Sequence, residues 1–143
     1  MLPLCAVFAA CGLPRDPEGT LERARGGVLR VGGVDAPPHL VREGAAASGP
    51  EAELVYAFAR SLGAEVEWHW GALDDHMRAL ERFELALVAG GLTQASPWKS
   101  RVGFTRPWRG DRDVARVLAV PPGENGLLVA LEHVIEERRG GGP

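Results

Sequence analysis

Few reactive side chains in this 143-residue sequence stand at spacings that support catalysis or metal binding. None of the 4 histidines is paired with another at the helical i, i+4 spacing, and no HExxH motif occurs. No Ser/His/Asp or Cys/His set has a recognisable nucleophilic arrangement. Glu81 and Glu84 flank a predicted helix–strand junction and are interpreted as solvated charges. The sequence therefore predicts a protein that is not an enzyme, with no catalytic residue, no metal site and no cofactor.

Both cysteines lie in a short apolar run at the start of the sequence, which ends in small residues. Phe8-Ala-Ala-Cys11 resembles a bacterial lipobox, in which the cysteine thiol is lipidated after cleavage. This predicts a signal-like segment over 1–10, lipid attachment at Cys11 and a polar tether over 11–27. The protein would then be anchored in the cell envelope, in the periplasm or on the outer face of the membrane. The alternative is a buried N-terminal strand or helix with an incidental cysteine.

If Cys5 leaves with the signal and Cys11 carries lipid, the mature chain has no cysteine pair. No disulfide and no cysteine-based zinc site is then expected.

Composition excludes further classes of protein. There are 16 basic and 19 acidic residues, a net charge of −3 and no basic patch, so nucleic acid is not an expected partner. The values of 45% hydrophobic and 24% charged residues are ordinary for a globular domain. No run approaches the roughly 18 apolar residues that span a bilayer. The 19 glycines and 11 prolines predict many turns and short elements.

Hydrophobic periodicity predicts strands over 28–34, 64–70, 83–93 and 114–120, and helices over 50–62, 74–80 and 125–139. Asp74 and Asn125 are the predicted N-caps of the second and third helices. In the second strand, Val66, Trp68 and Trp70 share the predicted buried face. This order predicts an α/β fold, a small, mostly parallel sheet flanked by helices, in one domain over 28–139 with a flexible tail over 140–143.

Several short motifs follow one another between residues 29 and 108. They are Leu29-Arg-Val-Gly followed by Pro37-Pro38, Gly49-Pro-Glu-Ala-Glu-Leu, Phe83-Glu-Leu with the later Gly90-Gly-Leu-Thr, and Val102-Gly-Phe-Thr-Arg-Pro-Trp. In this order they resemble lobe 1 of the family 3 solute-binding proteins, which have the type 2 periplasmic-binding-protein fold. That family serves ABC importers for amino acids and other small polar solutes.

The resemblance implies a ligand-binding cleft at the carboxyl ends of the strands. Its predicted lining is Asp35, His39, Glu51, Gly90, Gly91, Thr93 and Trp98. Simpler explanations stay open for each type of residue: a turn cap for the aspartate, an exposed loop for the histidine, and a helix-dipole effect for the glutamate. The glycines and threonine would also suit a plain turn at a strand end.

Two departures from the family pattern change the prediction. Where the family inserts a second lobe, residues 109–113 alone separate Trp108 from the returning strand, which is an ordinary loop length. Trp98 stands where amino-acid binders of the family carry the arginine that holds the ligand carboxylate. An amino-acid ligand is therefore not predicted. The Trp98 ring would instead either stack on an apolar or cationic ligand or cap a bare face of the lobe.

The functional hypothesis is a lipid-anchored extracytoplasmic solute-binding protein of an ABC importer, reduced to one lobe, that binds a small polar solute non-covalently. Its expected partners are that solute, a transporter permease and the membrane. The alternative is a non-enzymatic envelope interaction module that has lost solute binding. A homodimer could reconcile the two hypotheses, because two lobes facing each other through Trp98 and Trp108 would rebuild a cleft.

Overall fold

The computed structural model describes residues 15–110 and 114–140. Its helices are α1 Thr20–Ala24, α2 Pro50–Ser61, α3 Leu73–Glu81 and α4 Asn125–Gly140, with a 3-10 turn over Pro97–Ser100. Its strands are β1 Val28–Gly33, β2 Val41–Glu43, β3 Ala46–Ser48, β4 Glu65–Trp70, β5 Leu87–Ala89, β6 Gly103–Phe104 and β7 Ala119–Val120.

The central sheet has five strands in the order β4-β1-β5-β7-β6. β1 runs parallel to both β4 and β5, whereas β7 pairs antiparallel with β5 and β6. This confirms the predicted α/β fold with a mostly parallel sheet flanked by helices. Because β1 and β5 point the same way, the loops that leave their carboxyl ends meet at one edge of the sheet.

Helices cover both faces of the sheet. On one face α2 packs against α4, and side chains such as Phe58, Leu131 and Ile135 form the larger core cluster with β1 and β5. On the other face Met77 and Leu80 of α3 belong to a smaller cluster with Val88 of β5. Burial on both faces explains why β5 is apolar throughout, whereas β1 alternates at its start, with Val28 and Arg30 exposed, and is buried from Val31 onward.

The edge strand β4 follows the predicted alternation. Val66, Trp68 and Trp70 are half-buried, and the alternating residues Glu65, Glu67 and His69 are exposed. The Trp68 and Trp70 rings stack with centroids 5.3 Å apart, and the Trp68 indole N–H donates to the Tyr56 hydroxyl at 3.0 Å. The exposed charged residues on this strand are those that discourage pairing with another sheet edge.

Four predicted features differ from the structure: the lengths of two strands and the N-caps of two helices, since α4 begins at Asn125 itself and Glu124 precedes it as the N-cap. The strand predicted over 83–93 is confined to β5, because Phe83 takes a left-handed conformation (φ 59°) that ends α3. The strand predicted over 114–120 is confined to β7. Asp74 is not the N-cap of α3: Ala72 occupies that position, and Asp74 lies in the first turn, where it accepts a hydrogen bond from the Trp98 indole at 2.9 Å.

The segment interpreted as a polar tether packs against the domain from Arg15 onward. The Glu124 side chain, 1% exposed, accepts the backbone N–H groups of Glu18 at 2.8 Å and Thr20 at 3.3 Å. Asp16 accepts the N–H of Leu127 at 3.0 Å, in the first turn of α4. The buried carboxylate satisfies amides that a free tether would expose to water, so the tether interpretation fails for residues 15–27.

The predicted lipid attachment site, Cys11, and the signal-like segment over 1–10 lie outside the described residues, as do the last three residues of the predicted tail. Of the helices that are described, none has the length and apolar character needed to cross a bilayer.

Candidate functional site

The turn that leaves β5 passes very close to the loop that leaves β1. Gly90 has a φ of 143°, and a Cβ atom placed on it would lie 2.4 Å from the carbonyl oxygen of Val34. The Val34 N–H in turn donates to the carbonyl of Ala89 at 3.0 Å. Because no side chain fits between the two backbones, glycine is required at position 90.

Glu51 holds the next residue of this turn. It lies in the first turn of α2, is 0% exposed, and accepts the backbone N–H of Gly91 through Oε2 at 2.8 Å. Its Oε1 has no hydrogen-bond partner among the described residues. The carboxylate therefore joins the start of α2 to the end of β5.

Burial raises the pKa of Glu51 above its ordinary value. The Gly91 N–H, the indole N–H of Trp108 and the charge of Arg116 each act in the opposite direction, in decreasing order. The Trp108 indole N–H favours the ionised form of Glu51 although the two groups do not form a hydrogen bond. The Trp108 Nε1 has no hydrogen-bond partner among the described residues. Glu51 is thus a buried acid whose proton is held more tightly than in water.

Arg116 contacts the same turn. It lies in the segment that leads into β7. Its Nη1 donates to the carbonyl of Gly91 at 2.9 Å. Its backbone forms an antiparallel bridge with Thr93 in which Val117 N–H donates to Leu92 and Gln94 N–H to Ala115. This is the non-hydrogen-bonded type of pair, which places the side chains of Thr93 and Arg116 next to each other on one face.

His39 lies beside these groups on the loop between β1 and β2. Its ring is half-buried and meets the Trp108 ring edge-on, with centroids 6.4 Å apart. The Arg109 guanidinium lies 5.4 Å from the Trp108 ring centroid. Desolvation, followed by the charges of Arg116 and Arg109, lowers the pKa of His39. The imidazole is therefore neutral at neutral pH.

We call the group of Gly91, Glu51, His39, Arg116 and Trp108 the cleft cluster. The structure places three of the predicted lining residues in it, with Gly90 directly before it and Thr93 beside Arg116. Their role in binding a ligand is a prediction from the sequence.

Two predicted lining residues have other surroundings. Asp35 is exposed and accepts the N–H of Arg42, in β2, at 3.1 Å. Trp98 packs on the smaller core cluster, donates to Asp74 and lies beneath the Arg101 guanidinium at 4.8 Å. Trp98 therefore has structural partners on the α3 side of the sheet.

Sequence reasoning missed Arg116 and placed Trp108 on the face through which two lobes would meet, not among the ligand-binding residues. Trp108 packs against the larger core cluster, and it also borders Glu51 and His39. The available signal for Arg116 was a charged residue within the otherwise apolar run 114–120. Such a residue needs a polar partner or a functional reason.

No group of three or more potential metal ligands converges anywhere in residues 15–110 or 114–140. The arrangement at the cleft cluster offers hydrogen-bond donors and one buried acid, which suits recognition of a polar group.

Comparison with known proteins identifies the fold. No family model matches the sequence, and no curated protein matches it. The structure is similar to a point mutant of the arginine-bound domain 1 of TmArgBP, with a TM-score of 0.74 and 24% identity over 85% of this chain and 98% of that one.

Two further solved structures are similar. The ancestral amino acid-binding protein AncCDT-1, described as a precursor of cyclohexadienyl dehydratase, has a TM-score of 0.56 and 28% identity over 63% of this chain and 41% of that one. The substrate-binding protein of an amino acid ABC transporter has a TM-score of 0.66 and 15% identity over 80% of this chain and 94% of that one. The described chain therefore has the fold of one lobe, domain 1, of a type 2 periplasmic binding protein.

Proposed function

We propose that this chain is a solute-binding protein that holds a small polar solute non-covalently at the cleft cluster. The similar solved structures include an arginine-bound domain 1 and the substrate-binding protein of an amino acid ABC transporter, and this chain covers 98% and 94% of them. The cleft cluster lies at the carboxyl edge of the parallel strands, where ligands of open α/β sheets bind.

The observation that carries the proposal is the fixed arrangement of polar groups around Gly91. Glu51 holds its N–H and Arg116 holds its carbonyl, so the turn is restrained from both sides. A restrained site loses little conformational entropy when a ligand binds. A plain turn at a strand end does not require two charged side chains from other elements.

The proposal includes reduction to one lobe. Trp108 N–H donates to the carbonyl of Arg116 at 2.9 Å, and Arg116 N–H donates to the carbonyl of Arg109 at 2.7 Å. The chain therefore turns back next to the point where the family inserts its second lobe. A solute would be covered from one side, so we expect weaker binding than in a closed two-lobe cleft.

The cellular part of the proposal rests on the sequence alone. Lipidation at Cys11 would anchor the lobe on the extracytoplasmic face of a membrane, where an ABC-transporter permease would receive the solute.

The test is a thermal-shift screen of the full chain against amino acids, sugars, polyamines and dicarboxylates. A ligand at 100 times its dissociation constant adds about 2.7 kcal/mol to the unfolding free energy. We expect one chemical class to raise the melting temperature reproducibly. His39→Gln, in the cleft cluster, should reduce that shift, whereas His133→Gln, on the exposed face of α4, should not. A flat screen on a cooperatively folding chain would contradict the proposal.

The second candidate is a non-enzymatic interaction module, in which a partner or a second copy covers the cleft cluster. The observation that favours it is the close return of the chain at Arg116, which leaves this face without the opposing lobe. Sedimentation at increasing protein concentration distinguishes the two candidates. A concentration-dependent dimer that responds to no solute would favour the module.

A further inference from the structure

We infer that a cavity at the amino edge of the sheet binds a small organic anion with an apolar body. The cavity has a volume of about 320 Å³ and lies between α1 and the connection from α3 to β5, over the start of β1. It is at the opposite edge of the sheet from the cleft cluster. The inference therefore adds a second site and does not rest on the proposed function.

The cavity is a gap in the layer that covers the α3 side of the sheet. Near the carboxyl end of β1, the side chains of His76 and Leu85 lie against Gly32 on this face. At the amino end, residues 83–86 line the cavity without closing it, and Val28 is 44% exposed. Parallel sheets are normally covered on both faces, so this part of β1 presents a surface that a ligand can cover.

One wall contains a buried hydroxyl without a hydrogen-bond partner. Thr20, at the start of α1, lines the cavity and is 5% exposed. Its Oγ1 is buried and has no partner among the described residues. Buried hydroxyls normally form hydrogen bonds, and an unpaired one costs stability. An acceptor atom of a ligand in the cavity would supply the missing partner.

Two arginines give the cavity a positive charge. Arg23 of α1 and Arg30 of β1 both line it. Arg23 donates to the carbonyl of Glu18, and no carboxylate of the described residues lies within 4.0 Å of its guanidinium. Arg30 has a carboxylate, Glu67, 3.9 Å from its Nε, which is beyond hydrogen-bond distance. Both guanidinium groups therefore keep donors for an anion.

The acid in the wall is already paired. Glu84 accepts two hydrogen bonds from Arg82, at 3.0 and 3.1 Å, so it does not occupy the two cavity arginines. The rest of the lining includes the apolar residues Ala24, Val28 and Leu85. Ligand sites have volumes of about 300–1,000 Å³ and combine apolar walls with a few polar groups. Cationic donors, a free hydroxyl and apolar walls in a cavity at the lower end of that range match a small molecule with an anionic head and an apolar body.

The experiment is calorimetric titration of the full chain with probes that differ in one property. Benzoate and hexanoate are compared with benzamide and hexanamide, which lack the charge, and with acetate, which lacks the apolar body. We expect benzoate or hexanoate to bind, and its amide and acetate to bind at least tenfold more weakly. Phenyl phosphate tests the chemistry of the head: tighter binding than that of benzoate would support the site and identify a phosphate head.

Variants test whether the probe lies in this cavity. Arg30→Gln should weaken binding of the acid at least fivefold. The matched control is Arg25→Gln, whose arginine pairs with Glu22 at 3.2 Å and does not line the cavity, and it should change affinity less than twofold. The melting temperature of each variant without ligand shows whether it is folded.

Thr20→Val separates a binding role from a structural one. It removes an unpartnered hydroxyl, so the melting temperature of the free chain should not fall, whereas affinity for the acid should fall at least threefold. The bound acid should also slow proteolysis within residues 15–27, because α1 forms one wall of the cavity.

The remaining outcomes overturn the inference. Equal binding of an acid and its amide, or unchanged affinity in both Arg30→Gln and Thr20→Val, refutes the site. Loss of binding in Arg116→Gln, with binding retained in Arg30→Gln, would place the probe at the cleft cluster and so refute this site while supporting the proposed function. If none of these probes binds, the inference fails, and the thermal-shift screen still decides the proposed function independently.

Discussion

The two ends of the sheet each bury a glutamate, and the two carboxylates are used differently. At the amino end of β1, Glu124 is 1% exposed and both its oxygens accept backbone N–H groups, from Glu18 and Thr20. At the carboxyl end, Glu51 is 0% exposed, and Oε2 accepts from Gly91 while Oε1 is unpartnered among the described residues. The first carboxylate is saturated and the second is not.

The difference separates a structural junction from a candidate binding site. Glu124 fastens the N-terminal segment to the start of α4 and has no oxygen left without a partner. Around Glu51, one carboxylate oxygen and the Trp108 indole N–H both lack a partner among the described residues, whereas the Glu124 junction has one such atom, Thr20 Oγ1. Buried polar groups normally form hydrogen bonds. Several such groups without partners close together are therefore typical of a ligand-binding site.

The largest loss of stability is expected when a side chain is introduced at the close backbone approach at the carboxyl end of the sheet. Gly90→Ala must displace the Val34 carbonyl and also strain a φ of 143°, so we expect a loss of about 3–5 kcal/mol in unfolding free energy. The matched control is Gly123→Ala, where φ is 76° and no atom lies within 4 Å, so about 1 kcal/mol is expected. Urea unfolding measures both, and equal losses would show that the approach at position 90 is unimportant.

A somewhat smaller effect is expected at the amino end. Glu124→Ala leaves two amides without an acceptor, and we expect a loss of about 2–3 kcal/mol. Glu124→Gln keeps part of the hydrogen bonding and should cost less. Proteolysis within residues 15–27 should also become faster, because the segment is released. If Glu124→Ala unfolds at the same urea concentration as the parent chain, Glu124 does not hold the junction.

The buried acid at the carboxyl end predicts a pH dependence. Because the pKa of Glu51 is raised in the folded state, its contribution to stability is fully present below the unfolded value of 4.5 and is lost as pH rises through the folded pKa. Glu51→Gln does not titrate, so the stability difference between parent and variant should favour the parent more at pH 4 than at pH 8. Urea titrations at both values measure it, and a pH-independent difference would contradict the raised pKa.

The smallest effect concerns Phe83, at the amino end of β5. Its φ of 59° is left-handed, a conformation that glycine adopts without strain. Phe83→Gly should be more stable than Phe83→Ala by about 1 kcal/mol, the reverse of the usual order at a helix position. Both variants lose the same ring, so thermal unfolding of the pair isolates the backbone term. An alanine variant of equal or greater stability would exclude strain at this residue.

The parts of the fold that were predictable are those with local signals. Neighbouring residues specify three of these features: the apolar residues of β1, the start of α2 at Pro50 and its end before Gly63, and the alternation of β4. The lengths of β5 and β7 were not predictable in this way. Apolar residues continue beyond both strands because they are buried in loops and bridges, and hydrophobicity alone does not distinguish buried strand from buried loop.

The candidate site was predictable in part. The motif resemblance located Glu51, His39 and Gly91, which follow strands that end at the same sheet edge. Arg116 was missed because its importance comes from the antiparallel entry of β7, which brings a residue distant in sequence to the Gly91 carbonyl. Trp98 was placed in the cleft by its position relative to the family motif, but its indole N–H donates to Asp74 on α3.

The sequence by itself determined the α/β class, the order of the main elements and the resemblance of their motifs to lobe 1 of the solute-binding proteins. These features depend on periodicity and turn residues, which act over a few positions. The tertiary structure alone decided that the segment from Arg15 to Thr20 packs onto Glu124, that the chain returns at Arg116, and that Glu51 is buried with one oxygen that has no partner in the described part of the chain. Those outcomes depend on contacts between distant residues, whose energies are fixed only when the sheet and its helices have assembled.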